Sequence, residues 1–545
     1  MTIALSIDQL SVALPADADR PYALKQVSLH LNRNEILCVV GESGSGKSMT
    51  AGAIMGLLPD RVRAESGRIE FEGRNLLELN DAELRRIRGA KIGMIFQEPM
   101  TALNPLITIG DQIGEMFRTH SKLSRRETAE RVQALLRDVH IPDPLAAARA
   151  YPHELSGGQR QRAMIAMALA LEPAILIADE PTTALDVTTQ AQILKLIREL
   201  QERKGTAVLF ITHDFGVVAE IADRVAVMQH GVVVEQGEAD TILNRPQHAY
   251  TRALISAVPP LTPPPIRQVA EESILAIRQV NKIYRKGGLL GRNKRVTHAV
   301  RDVTLDLPKG GTLGIVGESG SGKSTLARCV VRLLDPNSGH IEFDNVDLAS
   351  LGRRELREHA RHVQMVFQDP YGSLNPRRRV GELVAQGPIV HGTPCQQALA
   401  EARELFELVG LDPDATRRYP HEFSGGQRQR ICLARALALK PRVLVADEPV
   451  SALDVSVQAQ VLELLARLRQ QLGLSLLFIT HDLRVAAQIC DHIAVMKNGS
   501  VVEHGTAAQV FGSPGHEYTR SLLDAVPGRH WTPPSFAGDI ERIAA

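Results

Sequence analysis

Cysteine is scarce in this chain: five in 545 residues (Cys38, Cys329, Cys395, Cys432 and Cys490), scattered and without a CxxC pair. That scarcity argues against a disulfide framework and a cysteine-based zinc site, and it fits a reducing compartment. Net charge is nearly absent as well. The 63 basic and 62 acidic residues leave +1, so no global field draws the chain to nucleic acid or anionic lipid. Long hydrophobic runs are missing too. None reaches the roughly 18 uninterrupted apolar residues that a spanning helix needs. The longest candidate, AMIAMALALEPAILIA from Ala163, is broken by Glu172–Pro173 and reads as a buried helix followed by a buried strand. The amino terminus, IALSIDQLSV, alternates and carries Asp8, which predicts an edge strand and not a signal peptide. With 44% hydrophobic and 23% charged residues, the composition is that of a soluble globular protein. The expectation is a cytosolic chain that is not itself inserted in a membrane.

What is present is one five-part motif set, written twice. GESGSGKS opens at Gly41 and again at Gly317; IFQEP and VFQDP place Gln97 and Gln368. LSGGQ and FSGGQ begin at Leu155 and Phe423, LIADEP and LVADEP carry Asp179–Glu180 and Asp447–Glu448, and ITHD recurs around His213 and His481. The pairs Ser156/Ser424, Glu180/Glu448 and His213/His481 each lie 268 residues apart. Two full sets in one order mark a duplicated nucleotide-binding unit, and the length exceeds what one core sustains.

Each half starts β-rich, then gives a buried strand (EILCVVG, TLGIVG), the glycine loop and a helix, the context that gives a phosphate loop its meaning. Helical periodicity follows. Val132, Leu135, Leu136 and Val139 predict one apolar face, and Leu399, Ala402, Phe406 and Val409 a similar one in the second half. The predicted fold is α/β: two tandem domains, each an α/β core with an inserted helical subdomain. Five prolines between Pro259 and Pro265 cannot sit inside a helix or central strand and read as a stiff linker. The expected boundaries are a first domain over 1–258, a linker over 259–272 and a second domain over 273–545.

The motif residues suit ATP chemistry. In Gly41, Glu42, Ser43, Gly44, Ser45, Gly46, Lys47 and Ser48, and in Gly317, Glu318, Ser319, Gly320, Ser321, Gly322, Lys323 and Ser324, glycines let backbone amides wrap phosphate oxygens at a helix N-terminus. Lys47 and Lys323 bring point charges to the β- and γ-phosphates; Ser48 and Ser324 offer hydroxyls to Mg²⁺. Asp179 and Asp447 end apolar strands, where a carboxylate stands beside that metal. Glu180 and Glu448 follow directly and can take a proton from attacking water. A buried acid at a strand end is otherwise a helix cap or an ion-pair partner. Ser156, Gly157, Gly158 and Gln159, like Ser424, Gly425, Gly426 and Gln427, open helices whose free amides suit an anion. Alone, SGGQ would be a turn and a cap.

Together these motifs resemble the ABC ATPase superfamily, and the resemblance covers nearly the whole chain. It implies that SGGQ is the signature, that Gln97 and Gln368 are Q-loop glutamines reaching the metal, and that His213 and His481 are switch histidines. It makes the ALD segments ending in Asp186 and Asp454 D-loops. It further implies head-to-tail domains. One site would join Lys47, Ser48, Gln97, Asp179, Glu180 and His213 to Ser424–Gln427, and the other would join Lys323, Ser324, Gln368, Asp447, Glu448 and His481 to Ser156–Gln159. Two departures from symmetry stand out. Tyr284 is placed to stack on adenine, whereas the first half reads SVALP there and offers only Tyr22. Thr325 follows Ser324, but Met49 follows Ser48, removing a hydroxyl from the first site.

The tails PQHAYTRALISAVP and PGHEYTRSLLDAVP, with FQEPMTALNP and FQDPYGSLNP, resemble dipeptide, oligopeptide and nickel importer ATPases, in fused form those serving peptide, glutathione or microcin import. The implied cofactors are ATP and Mg²⁺. The implied partners are two membrane permeases and, through them, a periplasmic solute-binding protein, with the chain peripheral on the cytoplasmic face of the inner membrane. HxYT also reads simply as a packed terminal helix. The other class of function is a soluble tandem ATPase acting on ribosomes or nucleic acid. Against it stand the short proline-rich linker, the cysteine spacing and a basic run, RKGGLLGRNKR from Arg285, that lacks aromatic interleaving.

Overall fold

The computed structural model describes all residues except Met1, Thr183, Ala184, Ile266, Gln268, 287–294, Ala452, Ser535 and 537–545. Most of the basic run after Arg285, and the alanines of both ALD segments, therefore lie outside the described residues. The chain forms two compact units. The first holds the described parts of Met1–Leu185, Thr189–Val258 and Pro527–Ala545, and the second those of Asp186–Thr188 and Pro259–Val526.

In the first unit a four-stranded antiparallel sheet runs in the order Tyr22–Asn32, Ile3–Ala13, Arg63–Phe71, Arg74–Asn75. The amino-terminal strand is thus not the edge strand its sequence suggested. It pairs on both sides, and its alternation records one buried and one open face, not a free edge. A six-stranded sheet runs in the order Val232–Glu238, Arg224–Gln229, Ile36–Val40, Ala207–Thr212, Ile175–Asp179, Ile92–Ile95. Its last five strands are parallel, and only Val232–Glu238 is antiparallel. Ile36–Val40, Ile175–Asp179 and Ala207–Thr212 are buried along their whole length, as strands covered on both faces must be. The second unit repeats this plan, with Thr312–Val316, Ser475–Ile479, Val443–Asp447 and Val363–Val366 as the corresponding parallel neighbours.

This strand order places the chemistry. Ligands of open α/β sheets bind beyond the carboxyl ends of the strands. Across the first sheet, those ends carry in spatial order the glycine loop, His213, Asp179–Glu180 and Gln97. Residues scattered over more than 170 positions of sequence meet because the strands before them are neighbours.

The helical insert follows Ile92–Ile95 and comprises Ile109–His120, Arg125–Asp138 and Pro144–Arg149. Ser124 and Glu127 close a reciprocal capping box at the second of these, and Val132, Leu136 and Val139 bury the expected face. In the second unit, Cys395–Leu408 buries Ala398, Ala402 and Phe406, with Val409 following, while Leu399 is 38% exposed. Ala402, Phe406 and Val409 are therefore buried as expected, and Ala398 takes the place expected for Leu399. Ala398, Ala402 and Phe406 follow one another at four-residue steps and so share one side of the helix.

The proline segment is docked on the second unit. The Gln488 amide donates to the carbonyls of Pro260 and Thr262 at 2.7 and 2.9 Å, and Arg267 pairs with Asp491 at 2.6 Å. Prolines cannot donate, but their carbonyls remain acceptors, so the segment packs by accepting. At the far end of the chain, the Gly528 amide donates to Glu220 at 3.2 Å and the Trp531 indole to Asn244 at 3.2 Å, within the first unit.

Candidate active site

Each unit assembles its own constellation. In the first, Lys47 is buried and its ammonium donates to the carbonyls of Gly41 and Glu42 at 2.6 and 2.9 Å. Gly41 (φ 151°) and Gly46 (φ 105°) shape the loop. The helix Lys47–Met55 begins directly behind it, aiming unpaired amides into the loop. Ser48 Oγ donates to Asp179 Oδ1 at 3.0 Å. Burial, reinforced by the adjacent charge of Glu180, pushes the Asp179 carboxyl up to about 6, although the Ser48 hydroxyl and the Lys47 charge work against the rise.

Glu180 is the centre of the set. His213 Nδ1 lies 3.2 Å from its Oε1, and the Gln97 amide donates to its Oε2 at 3.0 Å. Glu180 has φ 46°, a conformation that costs a non-glycine residue free energy and persists only where surroundings impose it. Here its amide donates to the Ile211 carbonyl at 3.0 Å, which turns the side chain off the strand end toward His213. His213 is held in turn by its neighbours. Asp214 caps the helix Phe215–Ile221, accepting from the amides of Gly216 and Val217 at 2.8 and 3.4 Å.

The second unit reproduces this geometry. Lys323 donates to Gly317 and Glu318 carbonyls at 2.7 and 2.8 Å, Ser324 to Asp447 at 3.0 Å, and Gln368 to Glu448 at 2.8 Å; His481 lies 3.2 Å from Glu448, whose φ is 48°. Burial pulls the Lys323 ammonium below its usual range and raises Asp447. Glu448 and His481 act as a pair. Burial would push Glu448 up, but the hydrogen bond and charge of His481 bring it below the usual carboxylate range. Glu448 correspondingly raises the imidazole that burial would lower.

Ser156 and Ser424 each cap the helix that follows, accepting from the amides of Gln159 and Gln427 at 3.3 Å, while those glutamine side chains accept the serine amides at 3.0 Å. Gly157 and Gly158, and Gly425 and Gly426, form the first turns of helices Gly157–Ala168 and Gly425–Leu437. Asp186 precedes helix Val187–Lys204, and Asp454 stands at the N-cap position of Val455–Leu472. Tyr284 is 41% exposed on strand Ser273–Lys286, with the Lys282 ammonium 5.8 Å from its ring centre. Met49 packs against the apolar cluster beneath the first loop, where Thr325 stands in the second. Sequence reasoning missed the tail tyrosines, Tyr250 and Tyr518, which touch Glu42 and Glu318. The fixed HxYT spacing was the available signal, but no local rule says what such a side chain reaches.

The arrangement can hold a triphosphate at the loop and a carboxylate base beside it. Among the described residues, no group of three or more His, Cys, Asp or Glu side chains could hold a metal ion by itself. A hydroxyl and one carboxylate beside a phosphate loop suit Mg²⁺, which takes few protein ligands and completes its shell with phosphate and water.

Comparison with known proteins identifies the family. The family described as "ABC transporter" matches residues 24–183 and 300–451, and "Oligopeptide/dipeptide transporter, C-terminal region" matches 234–281 and 502–533. Glutathione import ATP-binding protein GsiA of Escherichia coli K12 is 48% identical over 96% of this chain and 89% of its own length. Its counterpart from Shigella boydii is 47% identical over the same shares. The dimeric post-hydrolysis structure of the ATP-binding cassette MJ0796 with ADP and Pi is 31% identical, spanning 43% of this chain and 98% of its own at a TM-score of 0.39. The chain belongs to the ABC transporter family: it is an ATP-binding ATPase with two nucleotide-binding domains and, after each, the C-terminal region of the oligopeptide/dipeptide transporters.

Proposed function

We propose that this chain is the energy-coupling subunit of an importer of peptides or related small solutes, with glutathione the leading candidate cargo. The observation that carries the reading is the oligopeptide/dipeptide-type region found after both domains, joined to similarity along nearly the whole length of glutathione import ATP-binding proteins. The working domains are taken as 1–258 and 273–545, joined through 259–272.

Lys47 and Lys323 serve the β- and γ-phosphates, and the loop amides of Gly41–Ser48 and Gly317–Ser324 the phosphate oxygens. Ser48 and Asp179, or Ser324 and Asp447, would hold Mg²⁺, with Gln97 and Gln368 within reach; when bound, the ion would neutralise charge developing on the transferred phosphoryl group. Glu180 and Glu448 take the proton of the attacking water, and His213 and His481 orient them and face the γ-phosphate. As the family resemblance implies, each site is completed by Ser, Gly, Gly and Gln of the other domain's signature, with Asp186 and Asp454 in the D-loops. Tyr284 gives the second site an adenine-stacking face worth about 0.5–1.5 kcal/mol. With Lys47→Ala silencing the first site, Tyr284→Ala is then expected to weaken ATP binding roughly two- to twelvefold. Unchanged affinity would remove this assignment.

The partners are two permeases and, through them, a solute-binding protein, with the chain peripheral at the inner membrane. No helix among the described residues is long and apolar enough to cross a membrane. Expressed alone, the chain is expected to stay in the supernatant after ultracentrifugation; coexpressed with its permeases, it is expected to sediment with membranes. Membrane retention without any permease would contradict this reading.

A further inference from the structure

The HxYT segment closing each half takes no part in the proposed ATP chemistry, yet the fold brings it to the glycine loop of its own unit. Glu235 accepts the amides of Gln247 and His248 at 2.6 and 3.2 Å. His248 then caps helix Ala249–Ser256 by accepting the Tyr250 amide at 3.2 Å. With the helix start fixed this way, the buried Tyr250 reaches the second residue of the loop. Its hydroxyl accepts the Glu42 amide at 3.3 Å and donates to Glu42 Oε2 at 3.1 Å. The second unit repeats each link. Glu503 accepts the amides of Gly515 and His516 at 2.7 and 3.1 Å, His516 accepts that of Tyr518 at 3.0 Å, and the Tyr518 hydroxyl accepts the Glu318 amide at 3.3 Å. Between loop and tail the two halves share the motif segments but differ in much of the rest, and the tyrosine contact recurs in both.

Its position matters because of what else binds there. The carbonyls of Gly41 and Glu42 are the partners of the Lys47 ammonium, as those of Gly317 and Glu318 are of Lys323. A lysine serving phosphate exchanges these partners, so the orientation of the peptide units at Glu42 and Glu318 sets the starting point. The tyrosine fixes the amide of that same residue. In the first unit it also binds the glutamate carboxylate, an anion that would repel phosphate if it swung over the loop.

We propose that Tyr250 and Tyr518 are positioning residues for nucleotide binding, through which each C-terminal tail sets the ATP affinity of the loop in its own domain. The proposal rests on the reading of Gly41–Ser48 and Gly317–Ser324 as ATP loops. Tyrosine-to-phenylalanine substitution keeps the packed ring and removes only the hydroxyl. In the full chain, Tyr250→Phe is combined with Lys323→Ala, and Tyr518→Phe with Lys47→Ala, and equilibrium binding of a fluorescent ATP analogue is measured. The dissociation constant is expected to rise roughly two- to tenfold, the effect of one hydrogen bond. Steady-state hydrolysis by Tyr250→Phe/Tyr518→Phe should show KM for ATP raised by a similar factor and kcat changed less than about twofold. Glu42→Ala should weaken binding less in the Tyr250→Phe background than alone, because both act through one contact. Leu254→Ala, at a buried position on the same helix, separates this from general destabilisation: it should lower the melting temperature and leave KM unchanged. Unaltered dissociation constants and KM in both phenylalanine variants, with Lys47→Ala and Lys323→Ala each abolishing binding at their own loop, would overturn the positioning role alone. Normal binding in the lysine variants would overturn the loop assignment and this proposal with it.

Discussion

Replacing Glu180 and Glu448 together by glutamine is expected to lower ATP turnover by roughly 10²–10⁴-fold while ATP binding persists. Each glutamate sits between a histidine and a glutamine, 3.2 and 3.0 Å away in the first unit. It follows a buried aspartate that already bonds the loop serine. Glutamine has the same shape and can keep those contacts, so the variant removes a proton acceptor without removing a strut. The replacement withdraws the charge and turns one acceptor oxygen into a donor amide. Either single replacement should slow turnover less than the double, since one intact site remains. The check is steady-state phosphate release alongside equilibrium nucleotide binding. Near-normal release by the double variant would exclude both glutamates as bases.

The second large effect is expected from one methyl group. Gly41 and Gly317 open the loops with φ of 151° and 148°, and a Cβ at either would lie 2.2 Å from a backbone carbonyl oxygen, that of Met228 or Met496. Those carbonyls belong to the strands flanking the loop strand and cannot yield as a flexible side-chain end would. Gly41→Ala or Gly317→Ala must therefore shift the first residue of the loop, whose carbonyl binds the lysine. Strain of this kind costs about 1–3 kcal/mol, or roughly 5- to 150-fold in affinity if it falls on the bound state. Nucleotide titration of each variant, with the opposite site silenced, reads the loss directly. Unchanged affinity would mean that the loop does not use this approach when it binds.

Much of this arrangement is legible in the sequence because it is local. The strand–loop–helix order, the capping serines of SGGQ and the apolar strands ending in Asp179 and Asp447 depend on neighbouring residues and short spacings. The placement of the motifs at adjacent strand ends also follows once the chain is read as a doubled parallel α/β core. Where the reading falls short, the deciding information is non-local. The strand Ile3–Ala13 carries the same alternation whether it lies at an edge or inside a four-stranded sheet, since alternation reports its faces and not its hydrogen-bonded sides. Ala398 and not Leu399 completes the buried face of its helix, because Ala402 can be joined in sequence by a three- or a four-residue step and packing selects the latter. The proline segment reads as a stiff linker in sequence, but its packing shows only in the Gln488 amide on its carbonyls. The positive φ of Glu180 and Glu448 is imposed by the neighbouring strand, and no residue preference announces it. The tail tyrosines sit about 200 residues from the loops they touch, a pairing that only the fold supplies.

The most direct test of the central claim is solute accumulation by cells that have lost this chain and are supplied with either the intact protein or Glu180→Gln/Glu448→Gln. Labelled glutathione and short peptides are offered separately, with permeases and binding protein left in place and both forms of the chain made to equal levels. The account predicts that the intact chain restores accumulation of at least one of these solutes and that the double variant, still bound to membranes, restores none. Accumulation of all of them without the chain, or equal accumulation with the double variant, would contradict it.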